Sequence, residues 1–598
     1  MSEPILISIA GIVILGAVAQ WLAWRVGLPS ILLLLTFGII AGPLTGRLDP
    51  DALLGDLLFP LVSLSVALIL FEGGLSLKLS EFRKVGAVVR NLVTLGALVT
   101  WLLTTLAARF LLHLPMPIAA LLGAVLVVTG PTVIGPMLRQ MRPAGSVGAA
   151  LKWEGIVIDP IGALLAVLIF EAIAIGEPGA AALHVAGAVT KTIVFGGGIG
   201  AAAALLLIVM LERYWIADFL QNAVSLMLVV AAFTLANHLQ HESGLLAVTV
   251  MGFALANQKR VDVEDIVEFK ENLRVLLISA LFIVLAARLE LAQLTGVLWS
   301  ALAFVAVLVL VVRPLCVAVA TWRTGLPDRE RWFLAWIAPR GIVAAAVASV
   351  FAIRLESIPG YAAAGQLVPI TFITIIVTVT LYGLASPVIA RRLGVAEANP
   401  QGILFAGAHP WVRDVASLLQ RKGYRVLLVD SNPDHVHAAR MSGLPTYAGS
   451  ILSERTLDEI DLGGLGRLLA VTPNDWVNVL AVKRFNSVFG RAECYQLHPP
   501  DDSIHSRKGH GHLHGRWLFR DQITHATLES RLAAGYTTRA TRISEEFNYD
   551  DYRLEHGADA IPLFLVHESG QLKLVNGEQD AVGPVAGQTL ISLVRGKP

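Results

Sequence analysis

The sequence predicts an α-helical polytopic membrane protein of about 13 spans, arranged as an inverted repeat with two broken helices, followed by a cytoplasmic α/β domain. Three observations predict it. The 598 residues are 55% hydrophobic and only 15% charged, with a mean hydropathy of +0.68, too apolar for a soluble chain of this length. Apolar runs of spanning length recur up to residue 390, and two of them are interrupted by Gly and Pro at matching places. From Gln401 onward the composition turns abruptly to mixed polar and charged residues.

The apolar runs lie near 4–24, 28–43, 57–77, 86–112, 116–138, 148–175, 185–211, 218–238, 243–257, 272–290, 294–322, 331–353 and 365–390. The first lacks a basic leader and a small-residue cleavage site, so it is read as a retained span. With the N-terminus outside, the inner loops collect Lys78, Arg83, Arg139, Lys152, Lys259, Lys270, Arg274, Arg329 and Arg391, while the outer ends keep few cations. This asymmetry places the tail in the cytoplasm. An odd span count sets spans 1–6 and 8–13 in opposite senses, and GLPSILLLLTFGIIAGP in span two resembles SGLLAVTVMGFALANQ in span nine. The break at Thr129-Gly130-Pro131-Thr132 in span five matches Ala338-Pro339-Arg340-Gly341 in span twelve. Paired interruptions in matching halves mark a transporter's binding site.

Polar groups gather at one depth around these breaks. At about 1.5 Å per residue, Asp159 lies roughly 10 Å past Lys152, and Glu72, Thr129 and Arg340 come to a similar level. Charged groups at that depth are costly and usually functional. Glu154 and Asp159, five residues apart, point about 140° away from each other on one helix, so they cannot serve one cavity equally. Asp159 is assigned to the cavity, because no lysine lies within the predicted interior of any span to pair with it. Glu154 is assigned to a structural ion pair with Arg340. Arg313 is a further membrane cation without an assigned partner. The membrane part carries neither a nucleophile–base pair nor a metal-ligand cluster, which argues against an enzyme. A net charge of +1 and the lack of a basic arm argue against nucleic acid, and two distant cysteines make no disulfide framework.

FEGGL (Phe71–Leu75), the Thr-x-Pro-Thr break (Thr129–Thr132), EGIVIDP (Glu154–Pro160) and PRG (Pro339–Gly341), in this order, resemble the monovalent cation:proton antiporters of the sodium/proton exchanger type. The resemblance covers all thirteen spans. It implies a six-helix core holding crossed, unwound spans, a scaffold that dimerises, and an elevator-like cycle. It also implies that Asp159 carries a monovalent cation or a proton in turn, that Glu72, Thr129 and Thr132 help hold it, and that Glu154 and Arg340 stabilise the core. Relatives commonly carry Thr-Asp-Pro at the break and Asn-Asp in span six, where this chain has Thr129-Gly130-Pro131 and Ile158-Asp159. The site therefore lacks one carboxylate and one amide, which leaves Na⁺ and K⁺ both open as substrates.

The tail begins GILFAGAHPWVRDVASLLQRKGYRVLLVD, which reads strand, turn, helix, strand and opens a Rossmann-like unit over 400–497. It resembles the nucleotide-binding regulatory domains of bacterial potassium transport systems. Gly407, His409 and Asp430 are the candidate nucleotide contacts, although His409 and Val412 stand where backbone should approach a pyrophosphate. A mononucleotide or no ligand at all stays open. A His-rich loop over 498–516, with His510, His512 and His514 alternating, is read as a linker, and 517–598 as a small α/β regulatory domain. The expected activity is alternating-access exchange of Na⁺ or K⁺ for H⁺ across the inner membrane by a homodimer. A cation channel or K⁺ efflux system gated by the tail is the alternative, and the sequence lacks a TVGYG-type filter.

Overall fold

Hydropathy dictates most of the first unit. The computed structural model describes residues 2–26, 28–141, 143, 146–175, 178–261, 263–356, 358, 360–395, 401–453, 456–457, 460, 462–499, 514–519, 523–557, 559–575 and 583–596. The chain divides into two compact units, Met1–Ala396 and Glu397–Pro598. In the first, among the described residues, eight helices are long and apolar enough to cross a membrane, and four shorter apolar helices accompany them. Each of the thirteen apolar runs falls on one helix or on a pair of half-helices.

Two features let these helices pack closely. Lipid offers no hydrophobic drive between helices, so small residues that admit close backbone approach take its place. Gly38 and Gly42, four apart, face Ile283 and Ala287 of helix Glu264–Ala287, where any Cβ would collide with backbone. Gly196 and Gly200 do the same against Ser243 and Ala247. The second feature is the pair of interruptions. Helix Met116–Val125 ends, residues 126–130 run unwound, and helix Pro131–Met141 resumes. Helix Asp328–Trp336 likewise gives way to unwound residues 337–341 before Ile342–Glu356. The two expected breaks are thus real, and they cross each other. Gly130 N–H donates to Pro339 O at 2.9 Å, and a Cβ on Gly130 would stand 2.7 Å from Gly341 N. Only a residue without a side chain fits either side of that crossing.

The second unit holds two sheets. In the first, β1 (Gly402–Ala406), β2 (Val426–Asp430), β3 (Thr446–Ala448), β4 (Leu465–Ala470), β5 (Cys494–Gln496) and β6 (Arg516–Trp517) are all parallel, in the order β3-β2-β1-β4-β5-β6. That is the doubly wound order, with the chain reversing direction of growth between β1 and β4. The strand β6 carries the parallel sheet past residue 497, to Arg516–Trp517 at the end of the segment read as a linker. His510 and His512 lie outside the described residues; His514 is described, its ring 5.2 Å from that of Trp517. The second sheet is antiparallel, β7 (Tyr536–Arg542), β8 (Ile561–Val566), β9 (Leu572–Leu574) and β10 (Thr589–Arg595) in the order β7-β10-β8-β9. Helix His525–Ala533 leads into it.

Candidate ion-binding site

Helix Val147–Ile175 carries the central carboxylate. A Cβ on Gly155 would lie 3.5 Å from Pro131 Cα, and one on Gly162 would lie 3.5 Å from Val128 N. Residues 155, 159 and 162 are spaced four and three apart, so they share one helix face, and that face lies on the break at 128–131, where the unwound stretch meets the start of helix Pro131–Met141. Asp159 therefore meets the break at Thr129-Gly130. Its side chain is fully buried, and neither carboxylate oxygen has a hydrogen-bond partner among the described residues. The same is true of the buried hydroxyls of Thr129 and Thr132. Buried polar atoms are almost always satisfied, because leaving one without a partner costs about 1–3 kcal/mol. Four such oxygens on adjoining elements are what an oxygen-ligated hard cation, or a proton, would satisfy.

The other membrane charges are arranged differently from the sequence expectation. Glu154 does not pair with Arg340. Its carboxylate takes a two-pronged contact from Arg313, with Nη2 donating to Oε2 at 2.9 Å and Nη1 to Oε1, both side chains only 5% exposed. A π-turn over Leu308–Val312 directly precedes Arg313-Pro314 and sets the arginine's direction, while its Nε donates to Leu334 O at 3.0 Å. Arg340 meets backbone instead. Its Nη1 donates to Val127 O at 3.1 Å and Val128 O at 3.0 Å, the carbonyls left free where helix Met116–Val125 unwinds. A cation at that helix C-terminus satisfies orphan acceptors and the helix dipole together. Arg340 thus belongs to the crossing itself.

Glu72 also departs from expectation. It was expected to help hold the ion, but Arg274 Nη1 donates to its Oε1 at 2.7 Å and its Oε2 at 2.9 Å. One turn earlier, Lys270 is buried with its Nζ 5.6 Å from the Phe71 ring centroid. Both cations had been counted in an inner loop. Their four-residue spacing at the head of an apolar run was the available signal that one helix face brings them to Phe71-Glu72. Of the three buried carboxylates among the described residues, Glu72 and Glu154 are paired with arginines, and Asp159 is not.

In the tail, Gly407 follows β1 at φ 118, and His409 caps helix Pro410–Arg421. Asp430 ends β2 as expected, but its carboxylate is already occupied. Ala408 N–H donates to Oδ2 at 2.7 Å, Asn432 N–H to Oδ1 at 2.9 Å, and His435 Nδ1 stands 3.0 Å from Oδ2. Burial pushes this carboxyl up, but those donors outweigh it and hold the group below its ordinary value. His409 Cδ2 lies 3.4 Å from where a Gly407 Cβ would be, so the imidazole covers the glycine. A dinucleotide needs that backbone bare and that carboxylate free for a ribose, and the loop fits neither requirement.

Crossed, unwound half-helices around a buried unpaired carboxylate define a secondary-transporter fold of the inverted-repeat class. The Sodium/hydrogen exchanger transmembrane family model matches residues 10–392, and the TrkA-N domain model matches residues 403–496. The chain belongs to the sodium/hydrogen exchanger family and carries a TrkA-N domain behind its membrane part. It is 29% identical over 337 residues to the K⁺/H⁺ antiporter NhaP of Alkalimonas amylolytica, covering 55% of this chain and 57% of that protein. It is 25% identical over 395 residues to the probable Na⁺/H⁺ antiporter 2 of Methanocaldococcus jannaschii, covering 61% and 92%. The chain thus spans little more than half the length of the first of these relatives. The solved structure of the sodium proton antiporter MjNhaP1 from Methanocaldococcus jannaschii shares the fold, with a TM-score of 0.57 at 24% identity over 65% of this chain and 99% of that one.

Proposed function

We propose that the protein is a secondary antiporter exchanging a monovalent cation, Na⁺ or K⁺, for protons, with Asp159 holding each in turn. The observation that carries this reading is a buried carboxylate without a partner among the described residues, on the helix face packed against the crossing of two broken helices, where two buried hydroxyls also lack partners. The names of the relatives, K⁺/H⁺ and Na⁺/H⁺ antiporters, support the substrate class and leave the choice of cation to experiment. Alternating access moves the crossing and the 147–175 helix against the remaining helices, in a homodimer in the inner membrane with the N-terminus outside. The tail is cytoplasmic and regulates the exchange.

Charge counting supports one proton per cation. Glu72 and Glu154 are each paired with an arginine, Arg274 and Arg313, which leaves Asp159 as the buried carboxylate assigned to the exchange. Exchange is therefore expected to be electroneutral. Purified protein in liposomes, clamped with K⁺ and valinomycin at zero or at negative potential, takes up Na⁺ down an imposed pH gradient at the same rate in both cases. A net charge moved per cycle would couple to the potential by about 2.3 kcal/mol per 100 mV. Slower uptake at negative-inside potential would show a second acid in the cycle, and a lack of any pH-driven Na⁺ or K⁺ movement would overturn the antiporter reading.

A further inference from the structure

The crevice at the C-terminal edge of the parallel sheet is filled by histidines. His409 stands at the end of the loop after β1, and His525 opens the helix leading to the second sheet. Glu529 is one turn further along that helix, so His525 and Glu529 present their side chains on one face. One ligand atom from each of His409, His525 and Glu529 lies within 4.8 Å of the others. His409 Nδ1 is 3.8 Å from Glu529 Oε1, and His525 Nδ1 is 3.9 Å from Glu529 Oε2. The His409 and His525 ring centroids are 4.5 Å apart at 77°.

These distances are informative because they are too long for hydrogen bonds, whose N···O separation is about 2.7–3.2 Å. They are slightly wider than the roughly 3.3–3.6 Å edge of a tetrahedron with metal bonds of 2.0–2.2 Å. His525 Nε2 is buried and has no partner among the described residues, so none of them holds the imidazole there by an alternative hydrogen bond. On the far side of His409, the His435 ring lies 4.5 Å away, fixed by Asp430. Packing three imidazoles edge to edge gains little as a core, and aliphatic residues would fill the space without leaving nitrogen atoms to satisfy.

We propose that His409, His525 and Glu529 form a binding site for a zinc-class divalent transition metal. Two imidazole nitrogens and one carboxylate suit Zn²⁺, leaving a fourth position for water, and they suit Mg²⁺ or Ca²⁺ poorly because those ions take oxygen ligands. The metal occupies the mouth of the doubly wound sheet, over Gly407. It joins the loop after β1 to helix His525–Ala533, so its occupancy fixes that helix to the nucleotide-type fold. The tail on this account responds to a metal ion. The inference stands apart from the transport reading, since it uses none of the membrane residues.

The test uses full-length protein in detergent, stripped with EDTA and titrated with Zn²⁺ against a chromogenic chelator, with Co²⁺ as a spectroscopic substitute. The expected result is one tight Zn²⁺ per chain and the intense visible bands of tetrahedral Co²⁺. His525→Ala and Glu529→Gln are each expected to weaken Zn²⁺ binding by at least the ~10–100-fold that loss of an outer partner costs in zinc sites. The triple variant His510→Ala/His512→Ala/His514→Ala is expected to keep the tight site. Wild-type affinity in both His525→Ala and Glu529→Gln overturns the proposal, as does loss of the tight site in the triple variant alone or its absence from the wild type. Should His525→Ala fail to fold, as judged by its melting curve, the half-exposed Glu529→Gln carries the comparison.

Discussion

Asp159→Asn is expected to abolish pH-gradient-driven cation flux while leaving the protein folded. The amide keeps the volume of the carboxyl group and can still reach a buried hydroxyl, but it neither releases a proton nor balances a cation. Structural loss should be small, because neither Asp159 oxygen makes a hydrogen bond within the protein that the substitution would break. Reconstituted at equal density, the variant should move Na⁺ and K⁺ no faster than empty liposomes, and its melting temperature in detergent should match or exceed that of the wild type. pH-dependent flux persisting in Asp159→Asn would remove this residue from the transport cycle.

Breaking the Glu154–Arg313 pair is expected to produce the largest loss of stability in the membrane unit. Each partner is almost wholly buried, so removing one strands the other charge in a medium that cannot solvate it, at a cost of about 3–5 kcal/mol. Glu154→Ala and Arg313→Ala should each lower the yield and melting temperature of purified protein. Their double variant should lose much less than the two losses added together, because the second substitution removes the charge that the first left stranded. Glu154→Ala with Arg340→Ala should add nearly in full, since Arg340 is held by the carbonyls of Val127 and Val128. Additivity of the Arg313 cycle and coupling of the Arg340 cycle would restore the pairing that the sequence alone suggests.

That contrast shows which parts of the molecule could be read from the sequence. Length, hydropathy and the Gly/Pro interruptions were enough to place the helices and both breaks, because those signals are local. The choice between two arginines for Glu154 is not local, since it turns on the rotation that the π-turn at Leu308–Val312 gives to Arg313. Arg340's role was hidden for a related reason. Its acceptors are backbone carbonyls that become free only where the neighbouring helix unwinds. The partner of Glu72 was not legible because Arg274 reads as a loop cation by charge bias, whereas helix Glu264–Ala287 continues through it. In the tail, the degraded glycine pattern singled out His409, whose imidazole covers Gly407. Its partners His525 and Glu529 come from a helix beyond the first sheet, and only their H-x-x-x-E spacing hinted at a shared face.

The central claim is that a proton and a monovalent cation compete for one carboxylate, and steady-state kinetics test it most directly. Initial rates of exchange in proteoliposomes are measured over a range of Na⁺, and then K⁺, concentrations at a series of pH values on the cation-loading side. If both ligands need the Asp159 carboxylate, the apparent KM for the cation rises as pH falls, approaching about tenfold per unit below the carboxyl's pKa, while the maximal rate at saturating cation stays constant. An apparent KM that does not change with pH, with acid lowering the maximal rate alone, would mean that the proton and the cation bind at separate sites and would contradict the account.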